Sequence, residues 1–221
     1  MFIKLLTKDE VNFCLDKIDS NTYKSGKETA ADLESIKSNQ ESNSVPDEVR
    51  KLITDRLYDT HYIDSVYCPT RVSVNFYNKY FKDDYYDLHV DSFKANPKSK
   101  NVFFDYGWSI NLSDDYEGGE FILDTSVGRI GKKLGAGEAV IFPIIYPHGV
   151  ERVTEGFRQN IIGWMSSNVS YEQSFILQNM YEVNTYFMKQ NKDMFTRSTQ
   201  VKDMFTKSTL VQMYLKKAWG M

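Results

Sequence analysis

Two residue types that carry much of protein chemistry are scarce in this chain, which has two cysteines and three histidines in 221 residues. Cys14 and Cys68 are too few for a disulfide framework, so the fold has to hold through its core. Positive charge is not in surplus. The net charge of −3 excludes the basic field that advertises nucleic acid. No apolar run approaches the roughly 20 residues that cross a bilayer. The opening Met1-Phe2-Ile3-Lys4-Leu5-Leu6 lacks the long apolar region of a signal peptide. These absences set the expectation of a soluble, cytoplasmic protein in a reducing setting, with no nucleic-acid or membrane partner. Aromatics, by contrast, are plentiful. Fifteen tyrosines and fourteen phenylalanines suit packed sheets, and the length allows one sizeable core with a small appendage.

Patterning divides the chain. Thr7 and Glu10 have capping-box spacing ahead of a stripe of Val11, Leu15 and Ile18, which predicts a helix after Leu6. Residues 19–47 turn polar and rich in Ser, Asn and Lys, a composition that predicts a mobile loop. A helical pattern resumes behind Pro46, from Asp47 to Leu57. From Val66 the texture becomes β: Arg71–Tyr77, a strand ending at His89, 102–112, Glu120–Leu123, Ala139–Pro143, Val150–Val153 and Gln159–Met165. The segments Asn78–Tyr86, Ser113–Gly119, Gly128–Gly131 and Thr154–Gly156 read as loops and turns. Short strands with Gly-rich turns predict an antiparallel sandwich or barrel. Helical spacing returns over Gln173–Met188. Beyond it the motif at 192–199 recurs at 202–209, a duplication too short for a solenoid.

One constellation stands out. His89 and Asp91 are two apart, so on extended backbone they leave the same face. His148 follows a late strand, which a jelly roll brings beside an early one. Two imidazoles and one carboxylate form the facial triad of non-haem Fe(II) oxygenases, with coordination positions left open. Arg158, ten residues after His148, begins the next strand and offers a planar, permanent cation to a dicarboxylate.

Five segments carry a resemblance, in order and spacing: Leu88–Asp91, Leu112–Phe121, Gly135–Pro143, His148–Arg158 and Gly163–Ser167. Together they resemble the Fe(II)- and 2-oxoglutarate-dependent dioxygenases of the prolyl 4-hydroxylase-like group, most of all its PKHD-type hydroxylases. Residues 66–167 carry the likeness, which extends weakly into Gly26–Ala30 and Ser35–Gln40 as a substrate-side loop. The resemblance implies a double-stranded β-helix (jelly-roll) core with N-terminal helices packed on the sheet, mainly β, within a domain of residues 1–170. A helical C-terminal extension would occupy 171–221. It implies Fe(II) on His89, Asp91 and His148, and 2-oxoglutarate held by Arg158, with Tyr77 and Asn111 as further contacts. O2 is the oxidant, ascorbate keeps the iron reduced, and the expected partner is a protein or peptide substrate. Trp164 stands where the family keeps a bulky residue beside the site, and equally reads as a core tryptophan. His61 has no match.

A non-catalytic cupin-type jelly roll that binds metal or sugar is the competing reading. The His-x-Asp…His order and Arg158 weigh against it, since cupin sites are richer in histidine. Halogenation is disfavoured because Asp91 supplies the carboxylate that such enzymes lack.

Overall fold

The computed structural model describes residues 1–18, 22–29, 36–92, 103–190 and 199–220. The first helix, α1 (Lys8–Lys17), begins as its capping residues dictate. The Thr7 hydroxyl accepts from the Glu10 amide at 3.3 Å, and the Glu10 carboxylate accepts from the Thr7 amide at 2.8 Å. Two of the orphan donors at the helix start are thereby satisfied reciprocally. Ahead of it lies a strand that the sequence did not announce, β1 (Phe2–Lys4). Helix α2 (Asp47–Asp59) buries Val49, Ile53 and Leu57, the stripe expected of it. Arg50 of α2 donates to the Val74 carbonyl and so ties the helix to the sheet.

The chain forms two compact units, one of residues 1–57 with 71–166 and another of 58–70 with 167–221. The first is the β unit. Its strands in chain order are β1, β2 (Lys24–Ser25), β3 (Gln40–Ser42), β4 (Pro69–Tyr80), β5 (Tyr86–His89), β6 (Tyr106–Asn111), β7 (Tyr116–Gly118), β8 (Phe121–Thr125), β9 (Gly128–Lys132), β10 (Glu138–Pro143), β11 (His148–Val150), β12 (Val153–Gly156) and β13 (Arg158–Ser167). A seven-stranded sheet has the order β1-β10-β6-β13-β4-β3-β2, and a four-stranded sheet has the order β5-β11-β8-β9. A further two-stranded sheet pairs β12 with β7. The pairs β1-β10, β10-β6, β6-β13, β4-β3, β3-β2, β5-β11, β11-β8, β8-β9 and β12-β7 are all antiparallel. This is the anticipated jelly-roll arrangement. The two sheets bury Phe121, Leu123, Leu134, Val140 and Phe142 between them as one core cluster.

Several local expectations are corrected. The polar 19–47 segment contributes β2, β3 and a short 3-10 turn at Gly26–Thr29, while residues 19–21 and 30–35 lie outside the described residues. Its Ser and Asn content hid the strands because their side chains pair inside the fold instead of facing water. The Asn78–Tyr86 loop is shorter than expected, since β4 runs on to Tyr80. Gly128–Gly131 and Thr154–Gly156 are edge strands, β9 and β12, whose exposed side chains left no hydrophobic alternation to read.

Among its described residues the second unit holds the helices α3 (His61–Tyr67), α4 (Tyr171–Gln190) and α5 (Thr199–Ala218). Tyr62 of α3 meets Tyr181 of α4 edge-on, with ring centroids 4.7 Å apart. The second copy of the ten-residue duplication lies within α5; the first, apart from Thr199, lies outside the described residues.

Candidate metal centre and cosubstrate cavity

Strand register brings the chemistry together. β11 runs antiparallel between β5 and β8, and His148 is the direct partner of His89. The two imidazole centroids are 4.4 Å apart. Asp91 follows His89 by two residues and turns its carboxylate into the same space. Its Oδ1 is 3.5 Å from His89 Nε2, and its Oδ2 is 3.4 Å from His148 Nε2. The pairing depends on Gly149, because any Cβ there would lie 2.5 Å from the Tyr86 carbonyl oxygen. No larger residue lets β11 press this closely on β5.

The two rings are held the same way round. His89 Nδ1 lies 3.0 Å from the Asp87 carbonyl and His148 Nδ1 lies 3.1 Å from the Tyr146 carbonyl. A carbonyl only accepts, so each Nδ1 carries the hydrogen and each Nε2 turns its lone pair toward Asp91. Backbone carbonyls commonly fix metal-binding imidazoles in this manner. The potential ligand atoms of the three residues all lie within 4.8 Å of one another. Burial opposes ionisation of Asp91, but whenever a proton in place of a metal sits on each Nε2, hydrogen bonds and charge from His148 and His89 outweigh it and hold the carboxyl well below its usual range. Two inward lone pairs and a carboxylate repel one another until a cation joins them, and this donor set fits Fe(II).

Two aromatic contacts steady the trio. The Trp164 indole N–H donates to Asp91 Oδ2 at 2.7 Å. The Tyr86 ring stacks on His89 at 3.7 Å between centroids, only 12° from parallel. Trp164 is thus a partner of the site as well as a packed aromatic, the first of the two roles its sequence position allowed. Lys37 places its ammonium 4.7 Å from the Tyr86 ring centroid and pairs with Glu41 at 2.6 Å. Both members of this ion pair are buried.

The trio opens into a cavity of about 200 Å³ between the two sheets. Its wall takes Phe76, Asn78 and Tyr80 from β4, and Asn160, Ile162 and Trp164 from β13, the alternate positions that share a face. Lys37 and Glu41 complete one side. Arg158 belongs to the same alternation but stays off the wall, with its guanidinium packed over the Tyr80 ring at 5.3 Å. Arg158 is fully buried, and its three nitrogens have no hydrogen-bond partner among the described residues. A desolvated guanidinium without an anion is costly to keep, and so Arg158 fits the carboxylate of a dicarboxylate cosubstrate. Burial raises the Tyr80 hydroxyl pKa, with Arg158 working against it, so the phenol stays protonated beside that charge.

Two expected cosubstrate contacts are elsewhere. Tyr77 leaves the opposite face of β4 and is absent from the cavity wall; Cys14, Tyr23 and Arg50 are its charged and polar surroundings. Period two on β4 assigns the inward tyrosine to Tyr80, three residues on. Asn111 faces inward but is also off the wall, because its Nδ2 donates to the carbonyls of Ser113 and Leu134 at 2.5 and 2.7 Å. It braces the turn beside β6. His61 belongs to the second unit, where its ring centroid lies 5.7 Å from that of Tyr181.

Sequence reasoning missed Lys37, Glu41, Tyr80 and Asn160. Counting by twos from Arg158 finds Asn160 and Trp164. Nothing local announces Lys37 and Glu41, which sit in a polar stretch like any surface loop.

Comparison with known proteins agrees with this geometry. Residues 73–166 match the family model of the 2OG-Fe(II) oxygenase superfamily. A PKHD-type hydroxylase of Idiomarina loihiensis is 30% identical over 163 residues, covering 73% of this chain and 74% of that protein. Among solved structures, a prolyl hydroxylase from Trichoplax adhaerens, in complex with a hypoxia inducible factor oxygen degradation domain peptide fragment, shares the fold. Its TM-score is 0.58 at 15% identity, over 76% of this chain and 83% of that one. A prolyl-4-hydroxylase from Pseudomonas putida gives a TM-score of 0.53 at 14% identity, over 76% and 91%. With the His-Asp-His cluster at the meeting of β5 and β11, the chain belongs to the 2OG-Fe(II) oxygenase superfamily and is an enzyme of that class, a dioxygenase using Fe(II), 2-oxoglutarate and O2.

Proposed function

We propose that this enzyme hydroxylates a prolyl or other side chain of a protein or peptide, with His89 Nε2, the Asp91 carboxylate and His148 Nε2 as its iron ligands. The observation that carries the reading is the convergence of those three donors at the mouth of a cavity with an unpartnered buried guanidinium behind it. Iron bound there supplies the redox chemistry by which 2-oxoglutarate, O2 and a substrate C–H become succinate, CO2 and an alcohol. The chain's own share is orientation. Trp164 holds the Asp91 carboxylate, the carbonyls of residues 87 and 146 hold the imidazoles, and Arg158 takes the distal carboxylate of 2-oxoglutarate beside Tyr80. The apolar parts of the wall, Phe76, Phe121, Phe142 and Ile162, exclude water from the reacting atoms.

The substrate class draws support from relatives named as prolyl hydroxylases, one of them solved with a peptide fragment. In this reading residues 1–170 form the catalytic domain, 171–221 a helical extension, and ascorbate serves as the reductant that restores Fe(II). Both cysteines are free, as a reducing cytoplasm would keep them, and no helix among the described residues is long and apolar enough to cross a membrane. The test is succinate release by the purified, iron-loaded protein over panels of peptides, amino acids and nucleotides. Stimulation by a peptide and by neither other panel supports the reading; stimulation by free amino acids or nucleotides alone removes the substrate class and leaves the oxygenase.

A further inference from the structure

Lys37 and Glu41 form a buried ion pair that the reaction described above does not use. The ammonium lies 2.6 Å from the Glu41 carboxylate, and the two residues are 7% and 4% exposed. Taking both charges out of water is costly, and apolar residues of similar volume often stabilise a fold as well or better. Stability alone therefore does not account for the pair. Its contacts do.

Those contacts lead to a metal ligand. Residues 37–42 cross from one sheet to the other. Gln40, Glu41 and Ser42 of β3 pair with β4 in the seven-stranded sheet, while Lys37 bridges Tyr86 of β5 in the four-stranded one. The Ser38 amide donates to the Tyr85 carbonyl at 3.1 Å, and the Tyr85 amide donates to the Ser38 hydroxyl at 3.0 Å. The crossing sets the Lys37 ammonium over the Tyr86 ring, 4.7 Å from its centroid. An ammonium is attracted to an aromatic face, and more strongly away from water. The same ring stacks on the His89 imidazole at 3.7 Å, 12° from parallel.

The contact of His89 Nδ1 with the Asp87 carbonyl fixes one point of the imidazole and leaves its plane free to swing about that point. The Nε2 lone pair lies in the ring plane, so its aim depends on what fixes the plane. The stacked Tyr86 ring does this only while it is itself held. We infer that Lys37, anchored by Glu41, is a positioning residue for the metal centre: it clamps Tyr86 against His89 and so aims Nε2. The inference rests on the ligand set proposed above.

The test is a titration of Co(II) into the metal-free protein, read by its ligand-field absorbance, so that neither iron oxidation nor turnover enters. Lys37→Met with Glu41→Leu removes both charges at similar volume, and denaturant unfolding reports that the fold is kept. Its dissociation constant should rise roughly tenfold, the low end of the range for outer partners of a metal ligand, and its spectrum should shift. Tyr86→Leu removes the ring itself and should lose more. Lys37→Arg keeps a cation for both Glu41 and Tyr86, so it should recover most of the affinity and the wild-type spectrum. Lys37→Gln keeps a donor for Glu41 but leaves a net negative charge. A pure charge effect would make that variant bind Co(II) more tightly, whereas a slackened clamp weakens binding. It also decides the question if the double variant does not fold. A wild-type constant and spectrum in the double variant, or unchanged or tighter binding in Lys37→Gln, overturns the inference. His89→Ala is the control for the underlying reading. If it keeps the metal, the ligand assignment fails first; if it loses the metal while the double variant matches wild type, the clamp alone is wrong.

Discussion

Replacing Trp164 by phenylalanine tests how this chain keeps its carboxylate ligand in place. The indole N–H donates to Asp91 Oδ2 at 2.7 Å, and that oxygen also faces His148 Nε2 at 3.4 Å. Phenylalanine preserves the aromatic packing, since the Trp164 ring meets Phe76 edge-on at 6.3 Å and stacks near Phe104 at 6.1 Å. Only the donor is lost. A hydrogen bond to a charged group contributes about 1.5–3 kcal/mol, and an outer partner of a metal ligand affects metal affinity about 10–100-fold. The two ranges agree, because each 1.4 kcal/mol is about a factor of ten. Titration of Mn(II) or Co(II) against the metal-free variant should therefore show a dissociation constant raised within that window, with an unchanged circular dichroism spectrum. An unaltered constant would mean that the backbone alone orients Asp91, and the account of Trp164 would be wrong.

Other expectations follow from the same geometry. Arg158→Gln should leave iron binding intact while weakening 2-oxoglutarate by about 2–5 kcal/mol, the cost of truncating one partner of a buried charge pair, with Arg158→Lys recovering only part; equal affinities in a cosubstrate titration refute it. Lys37→Met takes the ammonium away from the buried Glu41 carboxylate, so unfolding by denaturant should show a loss of about 3–5 kcal/mol that Lys37→Met with Glu41→Leu largely restores. A double variant no more stable than the single one would contradict this. Gly149→Ala puts a methyl 2.5 Å from the Tyr86 carbonyl oxygen and should part β11 from β5, lowering metal affinity although Gly149 supplies no ligand; wild-type metal uptake would show that the strands tolerate the separation. Cys14 is fully buried and its thiol is pushed up to about 12, chiefly by desolvation, so iodoacetamide at neutral pH should spare it until the protein unfolds. Mass spectrometry showing prompt labelling of Cys14 would sink that claim.

The legible parts of this fold are those where local chemistry is decisive. Thr7 with Glu10 announces α1, and the stripe of Val49, Ile53 and Leu57 announces α2, because caps and helical periodicity act within one turn. The His-x-Asp pair is legible through period two, and β5 and β11 then bring His148 to it. The family resemblance supplied that cross-chain step, which no local pattern contains. That Tyr77 stands off the cavity wall is not legible, because the inward parity of β4 depends on its register with β3 and β13, and a one-residue slip exchanges the faces. Nothing in the sequence shows that the Asn111 amide is engaged by two backbone carbonyls. Lys37 and Glu41 resemble any solvated pair until β3 carries Glu41 indoors and a bridge to Tyr86 carries Lys37.

The central claim is that three side chains and one guanidinium make a working iron and 2-oxoglutarate site. The most direct measurement is anaerobic titration of Fe(II) and then 2-oxoglutarate into the wild-type protein and into His89→Ala, followed by the charge-transfer absorbance of the ternary complex. Wild type should bind one equivalent of iron and develop the band on addition of 2-oxoglutarate; His89→Ala should do neither. Full iron occupancy in His89→Ala, or a wild-type complex that never develops the band, would contradict the account.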